Sequence, residues 1–406
     1  MNKQIILLSI NGEDKPGISS SLTDILSQYG AQILDIGQSV IHRQLNLGIM
    51  FRISDKTQSS PVLKELLFKA YELGVQAKFS PVDPDEYEAW VGDQGKERYI
   101  ITMISREINA LQLSKVTDLI YNQGLNIDII TRLTGRPSLK SSVKKNKSSV
   151  ELSLRGNPVD EMVFRTDLMK ISKETGVDIS FQKDNIYRRT RRLVCFDMDS
   201  TLIQTEVIVE LAKRHGVGEQ VHEITEAAMR GELDFNESFI KRVALLKGLD
   251  ESVMFDIARK LPITEGAETL FRNLRKYGFK TAILSGGFNY FGRFLQHKLG
   301  IDYVFSNELE IKDGKLTGKH LGEIVNGEMK AELLKKIAFK EDIHLEQVVA
   351  IGDGANDLPM LNVAGLGIAF HAKQKVKENA KNSISTIGLD AILYLMGFRD
   401  REIDES

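Results

Sequence analysis

The 406-residue sequence has one cysteine, one tryptophan and few aromatic residues, which make up 7% of the chain. A single cysteine excludes a disulfide framework within the chain and is typical of a reducing compartment. The formal net charge is only −2, with 54 basic and 56 acidic residues, so no charge excess predicts a nucleic-acid partner or a membrane surface. No apolar run reaches the ~18–20 residues of a membrane helix, and the N-terminal apolar run is too short for a signal peptide. We expect a soluble, cytoplasmic protein of two to three domains.

The first half of the chain contains an internal repeat with a constant offset of 94 residues. Residues 22–36 align with residues 116–130, and each of these copies has a glycine where its helix should end. Each copy reads strand, helix, strand, strand, helix, strand, which is the βαββαβ order of ferredoxin-like folds. We therefore predict two such modules, at residues 1–82 and 97–184, joined by an acidic, proline-containing linker at residues 81–97.

From residue 192 the pattern changes to continuous apolar strands separated by helical stretches. Strands are predicted at 193–196, 280–284, 302–305, 347–352 and 366–370. Strands that do not alternate between apolar and polar residues indicate a parallel sheet covered by helices on both faces, as in Rossmann-like α/β folds. A polar block at about residues 207–262 contains helical stretches and no strand. The prediction is an α/β domain over residues 192–398 with a helical cap inserted after its first strand.

Polar side chains follow several of these strands at the point where each apolar run stops. They are Asp197 and Asp199 after the first strand, Ser285 and Gly286 after the second, and Asp353, Asn356 and Asp357 after a later one. Lys330 lies upstream of that later strand, at the start of a predicted helix. Because the carboxyl ends of parallel strands line one crevice, we expect these groups to converge there.

Several carboxylates in one crevice repel one another unless a cation shares the site. Carboxylate ligands favour Mg²⁺, whereas the seven histidines show no pair with zinc-site spacing. The backbone N–H groups of a Ser-Gly-Gly turn bind anions, and Lys330 adds positive charge. This set predicts phosphoryl transfer, in which Asp197 attacks phosphorus and Asp199, held partly protonated by nearby negative charge, is the acid and base.

The motifs resemble those of the haloacid dehalogenase superfamily of aspartyl-phosphate hydrolases. The stretch DMDST starting at Asp197, then Ser285, Lys330 and the stretch GDGAND at 352–357 match its four motifs in order. The resemblance implies that Asp197 is the nucleophile and Asp199 the acid/base. It also implies that Asp197, the backbone carbonyl of Asp199, and Asp353 hold Mg²⁺, with Asp357 in support.

The α/β region resembles the phosphoserine phosphatases more closely still, through Glu206 and the cap segment at 229–248. This resemblance implies that Glu206 binds the substrate ammonium and Arg242 its carboxylate, although a helical arginine alone would usually be solvated. It further implies that the substrate contacts Met229, Phe235, Ser285, Gly286, Lys330 and Asn356. The expected reaction is hydrolysis of O-phospho-L-serine to L-serine and phosphate, the last step of serine biosynthesis, through an aspartyl-phosphate.

The two N-terminal modules resemble ACT domains, which bind amino acids and pair with one another. In the first module Asp14, Pro16 and Gly17 match the family's D-x-P-G turn, whereas the second copy, at residues 105–112, has neither the proline nor the glycine. The resemblance implies an amino-acid effector such as serine at the first turn and a homodimer formed through the ACT region. For the second module, a structural, dimer-building role is at least as consistent with the missing residues as ligand binding, so both stay open.

Two alternatives stay open from the sequence. One is a phosphoserine:homoserine phosphotransferase, which shares the covalent intermediate but uses another acceptor. The other is an amino-acid sensor on an inactive phosphatase scaffold, against which the retained polar groups argue, since a dead site has no reason to keep them together.

Overall fold

The computed structural model describes residues 4–53, 59–136, 140 and 147–405. The chain forms two compact units, residues 1–96 and 97–406. The first unit contains one four-stranded sheet, and the second contains another four-stranded sheet and a seven-stranded sheet. Among the described residues, none of the helices combines the length and apolarity needed to span a bilayer.

The first unit has the βαββαβ order predicted from the sequence. Its elements are β1 (Gln4–Glu13), α1 (Ile18–Gln28), β2 (Gln32–Ile41), β3 (Gln44–Ile53), α2 (Ser59–Leu73), β4 (Val75–Val82) and α3 (Pro84–Asp93). The sheet order is β2-β3-β1-β4 with antiparallel neighbours. Helix α3 lies in the predicted linker. Asp83 caps its start by accepting hydrogen bonds from the N–H groups of Asp85 and Glu86, which stabilises a helix there.

The second unit begins with the second βαββαβ module. Its elements are β5 (Arg98–Ser105), α4 (Ala110–Asn122), β6 (Asn126–Arg132), β7 (Ser148–Arg155), α5 (Glu161–Thr175), β8 (Asp178–Lys183) and the short α6 (Ile186–Arg189). The sheet order β6-β7-β5-β8 repeats that of the first module. One face of this sheet, with Ile101, Met103 and Leu152, packs in an apolar core with residues of α4 and α5.

The α/β part follows with a seven-stranded sheet in the order β12-β11-β10-β9-β13-β14-β15. Its strands are β9 (Leu193–Phe196), β10 (Lys280–Phe288), β11 (Tyr303–Lys312), β12 (Lys315–Leu321), β13 (Val348–Gly352), β14 (Leu366–Phe370) and β15 (Asn382–Ile384). Strand β12 is antiparallel to β11, and the remaining neighbours are parallel. Alternate residues of β9 enter opposite apolar cores, Val194 and Phe196 on one side and Leu193 and Cys195 on the other, so helices cover both faces.

The helical cap lies between β9 and β10. Its four helices are α7 (Val207–His215), α8 (Gly218–Met229), α9 (Phe235–Ala244) and α10 (Ser252–Ala258). The helices of the α/β part after the cap are α11 (Ala267–Lys276), α12 (Asn289–Leu299), α13 (Gly327–Lys340), α14 (Leu358–Val363), α15 (Gln374–Asn379) and α16 (Ile392–Leu395). The predicted fold class, a capped α/β domain preceded by two ferredoxin-like modules, is confirmed.

Candidate active site

The first strand of the α/β part delivers its acids through a tight turn. Strand β9 ends at Phe196, and the Asp197 N–H still donates to the Ile351 carbonyl of β13 at 2.8 Å. The Leu202 N–H then donates to the Met198 carbonyl at 2.9 Å, which closes the turn. The turn therefore holds Asp197 at the carboxyl edge of the sheet, with Asp199 two residues beyond it.

Lys330 is the central cation of the site. It projects from the first turn of α13, which Asn326 caps by accepting the Met329 N–H at 3.0 Å. Its ammonium Nζ lies 2.6 Å from Asp197 Oδ1 and 2.6 Å from Asp357 Oδ1, and the lysine side chain is fully buried. Two carboxylates share this lysine, so a net negative charge remains at the bottom of the crevice.

Asp357 is fixed by the loop that carries it. Its Oδ1 accepts from Lys330, and its Oδ2 accepts the Gly354 N–H at 2.9 Å. A Cβ at Gly352 would lie 2.4 Å from Asp357 Cγ, so only glycine allows this close approach. Asp357, predicted in a supporting role, orients Lys330 and the loop at 352–357.

Three carboxylates form a group suited to a cation. Oxygen atoms of Asp197, Asp353 and Asp357 all lie within 4.8 Å of one another. Burial and the charge of Asp197 raise the pKa of Asp353 to about 8. Among the described residues, only the Thr201 hydroxyl donates a hydrogen bond to Asp353, at 3.2 Å. The donor set consists of hard oxygens, which fits Mg²⁺. Because both oxygens of Asp357 are already engaged, Asp197 and Asp353 are the more available ligands.

Asp199 has the character of a proton donor. Burial, reinforced by the charge of Asp197, raises its pKa well above the ordinary range. Its Oδ1 accepts the Val207 N–H, the first of helix α7, at 3.2 Å. A carboxyl group that retains its proton beside an ionised one has the arrangement needed for general acid catalysis. Burial also raises the pKa of Asp197, to about 6, against the lowering effect of Lys330.

The Ser-Gly-Gly turn lies beside these acids at the end of β10. Ser285 is fully buried, and its Oγ accepts the Gly287 N–H at 3.0 Å. A Cβ at Gly287 would lie 2.7 Å from Asp199 Oδ2, which places the turn directly against the proposed acid. Backbone N–H groups at such a strand-to-helix junction suit an anionic group of the substrate.

The sequence reasoning missed two polar residues that hold the site. Asn307, 1% exposed, donates to the Gly286 carbonyl at 2.8 Å and accepts the Val325 N–H at 2.8 Å. Thr201, fully buried, orients Asp353. Thr201 belongs to the DMDST motif, but Asn307 lies within β11, far along the chain, and no spacing in the sequence links it to the turn.

The cap presents three predicted substrate residues to this edge of the sheet. A Cβ at Gly286 would lie 2.8 Å from Phe235 Cζ, so the Phe235 ring covers the turn. Arg242 is half-buried. Its desolvation lowers the pKa of the guanidinium, and the charges of Glu206 and Asp199 oppose that shift. Glu206 immediately precedes α7 and also acts on the pKa of Asp199. The structure thus brings Arg242, Glu206 and Asp199 into one electrostatic neighbourhood.

The remaining predicted residues have different locations. Asn356 lies in the loop at 352–357, where a Cβ at Gly354 would lie 2.2 Å from its Oδ1. The side chain of Met229 lies outside the described residues. The predicted effector residues Asp14, Pro16 and Gly17 lie in the first compact unit, where Gly17 has a φ of 94° and precedes α1.

Two family models match the chain. Residues 194–362 match the model for haloacid dehalogenase-like hydrolases, and residues 4–80 match that for ACT domains. Both resemblances predicted from the sequence are therefore confirmed. The family model for ACT domains matches only the first module, and the second module resembles it through the same order of strands in its sheet.

The chain is similar over nearly its whole length to two curated proteins. It is 39% identical over 402 residues to phosphoserine phosphatase of Streptomyces coelicolor, a match that covers 98% of this chain and 93% of that protein. It is 38% identical over 402 residues to phosphoserine phosphatase SerB2 of Mycobacterium tuberculosis, with coverage of 99% and 95%.

Solved structures resemble a large part of the chain. A haloacid dehalogenase family hydrolase from Salmonella enterica serovar Typhi superposes with a TM-score of 0.65 at 32% identity, covering 73% of this chain and 98% of that one. A probable phosphoserine phosphatase from Vibrio cholerae gives a TM-score of 0.58 at 33% identity, covering 75% and 87%. The group around Lys330 lies beyond the carboxyl ends of the parallel strands, where open parallel sheets generally bind ligands.

Proposed function

The chain belongs to the phosphoserine phosphatases, and from that premise we propose that it hydrolyses O-phospho-L-serine to L-serine and phosphate through an aspartyl-phosphate on Asp197. The observation that carries the proposal is the buried Lys330, whose ammonium lies 2.6 Å from both Asp197 and Asp357 while Asp199 stands beside them with a raised pKa. One ionised and one protonated carboxyl group at the same strand end supply a nucleophile and an acid together.

The first half-reaction joins Asp197 to phosphorus. A carboxylate oxygen of Asp197 attacks, the P–O bond to serine breaks, and Asp199 gives its proton to the leaving serine oxygen. Lys330 offsets the repulsion between the anionic nucleophile and the anionic phosphate. The N–H groups of the turn at Ser285 and Gly286 bind the phosphoryl oxygens, and Asn356 positions the phosphate region from the facing loop.

The second half-reaction releases phosphate. Asp199, now ionised, takes a proton from water as the water attacks the phosphorus of the aspartyl-phosphate, and the Asp197–phosphorus bond breaks. The same residue therefore serves as acid and then as base, which restores its starting state after each turnover.

Mg²⁺ is the cofactor that these ligands favour. Asp197, Asp353 and the backbone carbonyl of Asp199 would hold it, with Asp357 in support, and when bound it neutralises charge on the phosphate and its carboxylate neighbours. Burial, together with the charges of Asp197 and Asp357, raises the pKa of Asp353 to about 8, and a bound cation would favour the ionised form of this carboxylate that can act as a ligand.

The cap selects an amino-acid phosphate. Arg242 is half-buried, so its guanidinium can make a two-pronged contact with the substrate carboxylate, and Glu206 balances the substrate ammonium. Phe235 covers Gly286 on the apolar side of the pocket. A cap that closes over the site also excludes water during the first half-reaction.

A panel of phosphate monoesters assayed with Mg²⁺, reporting kcat/KM for each, tests the substrate assignment. Phosphoserine should exceed esters that lack the carboxylate or the ammonium, and EDTA should abolish turnover until Mg²⁺ is restored. Equal rates on all esters would contradict the role of the cap. Transfer of phosphate to added homoserine as fast as its release to water would favour the phosphotransferase instead.

The first module is proposed to bind an amino-acid effector such as serine and to form a homodimer. Gly17 has a left-handed backbone conformation and immediately precedes α1. A Cβ on Gly17 would meet nothing within 4 Å, so the backbone of Gly17 is accessible to a ligand. Edge strand β2 exposes Ile33, Ile36 and Ile41, which supports pairing with a second copy.

Two measurements test these assignments. Calorimetric titration of the whole chain with amino acids should show binding that Asp14→Ala removes and Lys15→Ala keeps. Sedimentation should show a dimer that Ile36→Lys weakens and Gln28→Lys, an exposed change on α1, does not. Absence of binding by every amino acid, or a monomeric wild type, would contradict the respective assignment.

A further inference from the structure

The second βαββαβ module uses the open face of its sheet to dock on the α/β part. Asp178 of β8 accepts the N–H groups of Ser385 and Thr386 at 2.9 and 3.0 Å. Ser180, two residues along the same strand, donates to Asn382 of β15 at 2.7 Å. Because alternate residues of a strand share a face, this sheet face is a buried, polar joint between the two parts of the second unit.

A row of polar side chains crosses that face beside the joint. Thr102 of β5 lies opposite Glu151 of β7 and opposite Ser180 of β8 in the strand pairing. Gln182, the next residue of β8 on this face, donates to Ser180 Oγ at 3.0 Å and to the Leu395 carbonyl at 3.1 Å. The Thr102 hydroxyl is buried and has no hydrogen-bond partner among the described residues.

Two buried arginines reach this row. Arg188 and Arg191 are each 8% exposed. Arg188 donates to Glu151 Oε2 at 2.5 Å, and Arg191 donates to Gln182 Oε1 at 2.6 Å. The Nε atoms of both arginines and NH1 of Arg191 are buried and have no partner in the described part of the chain.

The charges of this cluster do not balance. Of the two guanidinium groups, only that of Arg188 has a carboxylate partner, Glu151, because the partner of Arg191 is the neutral amide of Gln182. Burial and the like charge of Arg188 lower the pKa of Arg191 to about 9. Water molecules would satisfy the free N–H groups but would leave the excess positive charge in a buried place, which is costly.

We propose that a small monatomic anion of the chloride class binds between Arg188 and Arg191, at the joint between the second module and the α/β part. The anion accepts a hydrogen bond from Nε of Arg188 and from one unpartnered N–H group of Arg191, and it balances the second positive charge. An oxyanion needs a two-pronged edge, and one hydrogen of Arg191 NH2, which both such edges use, already goes to Gln182, so only one edge stays open. A single-atom acceptor fits better, because it needs only one free N–H from each arginine. The bound anion therefore strengthens the attachment of the second module.

Bromide provides a direct test on the wild-type chain. Crystals of the full-length protein transferred from chloride to bromide should show an anomalous difference peak within hydrogen-bond distance of the unpartnered guanidinium nitrogens. A map with only water at that place would overturn the proposal.

Thermal unfolding tests the same site in solution. At matched ionic strength, replacing gluconate by chloride should raise the unfolding midpoint by about 2–4 °C, as expected for a ligand that binds only the folded state. Arg191→Met removes the uncompensated charge and should abolish the chloride effect, whereas Arg189→Met should keep it, because Arg189 is exposed and paired with Asp184.

Three outcomes contradict the assignment. An equal midpoint in chloride and gluconate for the wild type would overturn it, as would a chloride effect that survives in Arg191→Met. A shift produced by phosphate but not by chloride would assign the site to an oxyanion. If Arg191→Met does not fold, the bromide map and the chloride dependence of the wild type still decide.

Discussion

Replacement of Lys330 by methionine should both inactivate and destabilise the protein. The lysine is fully buried, with its ammonium 2.6 Å from Asp197 and from Asp357. Methionine keeps most of the side-chain volume but leaves two buried carboxylates without their cation. Removing one partner of a buried ion pair costs about 3–5 kcal/mol, and losing a positive charge at the reacting phosphate should lower kcat/KM by about 10²–10³-fold or more.

The destabilisation should depend on pH with a defined sign. Burial raises the pKa of Asp197, and Lys330 opposes that rise. In the variant, the pKa of Asp197 in the folded state should therefore lie further above its pKa in the unfolded state. Between these two values the folded state binds more protons than the unfolded state, and stability falls as pH rises, by up to about 1.4 kcal/mol per pH unit for one proton. The loss should therefore be larger at pH 8 than at pH 5.5.

Urea unfolding of the metal-free protein at both pH values measures this loss. Lys335→Met is the matched control, because Lys335 lies on the same helix in an exposed pair with Glu332 and should change stability by less than about 0.5 kcal/mol. A Lys330→Met variant as stable as the control at pH 8, or one that loses more stability at pH 5.5, would refute the reasoning.

Three further substitutions separate the roles of individual residues. Arg242→Ala should lower kcat/KM for phosphoserine by about 10²-fold or more and barely change kcat/KM for an ester without a carboxylate. Lys241→Ala is the control and should change neither value. Equal losses on both substrates would assign Arg242 to the cap fold. Asp199→Asn should slow aspartyl-phosphate formation from phosphoserine far more than from p-nitrophenyl phosphate, whose leaving group needs no proton, as rapid-quench kinetics would show; equal slowing would exclude it as the acid. Asn307→Ala leaves the Gly286 carbonyl and the Val325 N–H unpaired. It should therefore lower the free energy of unfolding by about 1–3 kcal/mol and lower kcat/KM for both substrates. Unchanged kinetics would mean that Asn307 does not position the turn.

The sequence predicted the α/β strands that carry chemistry because their apolar runs end in a polar motif. It missed β12 and β15 for physical reasons. Strand β12 is an antiparallel edge strand with a mixed polar composition, and β15 has three residues. Neither strand contains the continuous apolar run that marks a strand buried on both faces.

The polar contacts that fix the site were less accessible to sequence reasoning than the reacting groups. The residue types of Asp197, Asp199 and Lys330, and their positions at strand ends and a helix start, were enough to predict them from the sequence. Asn307 acts through side-chain hydrogen bonds to the backbone of segments 18 and 21 residues away. Docking of the second module through Asp178 joins residues 207 positions apart, and local spacing carries no signal for such contacts.

The central claim is that Asp197 carries the phosphoryl group. Wild-type protein mixed with ³²P-phosphoserine should be quenched within the first turnover, and the trapped aspartyl-phosphate reduced and located by peptide mapping. We predict label on the peptide that contains Asp197, and none in Asp197→Asn. Label on another residue, or turnover of phosphoserine by Asp197→Asn at the wild-type rate, would contradict the account.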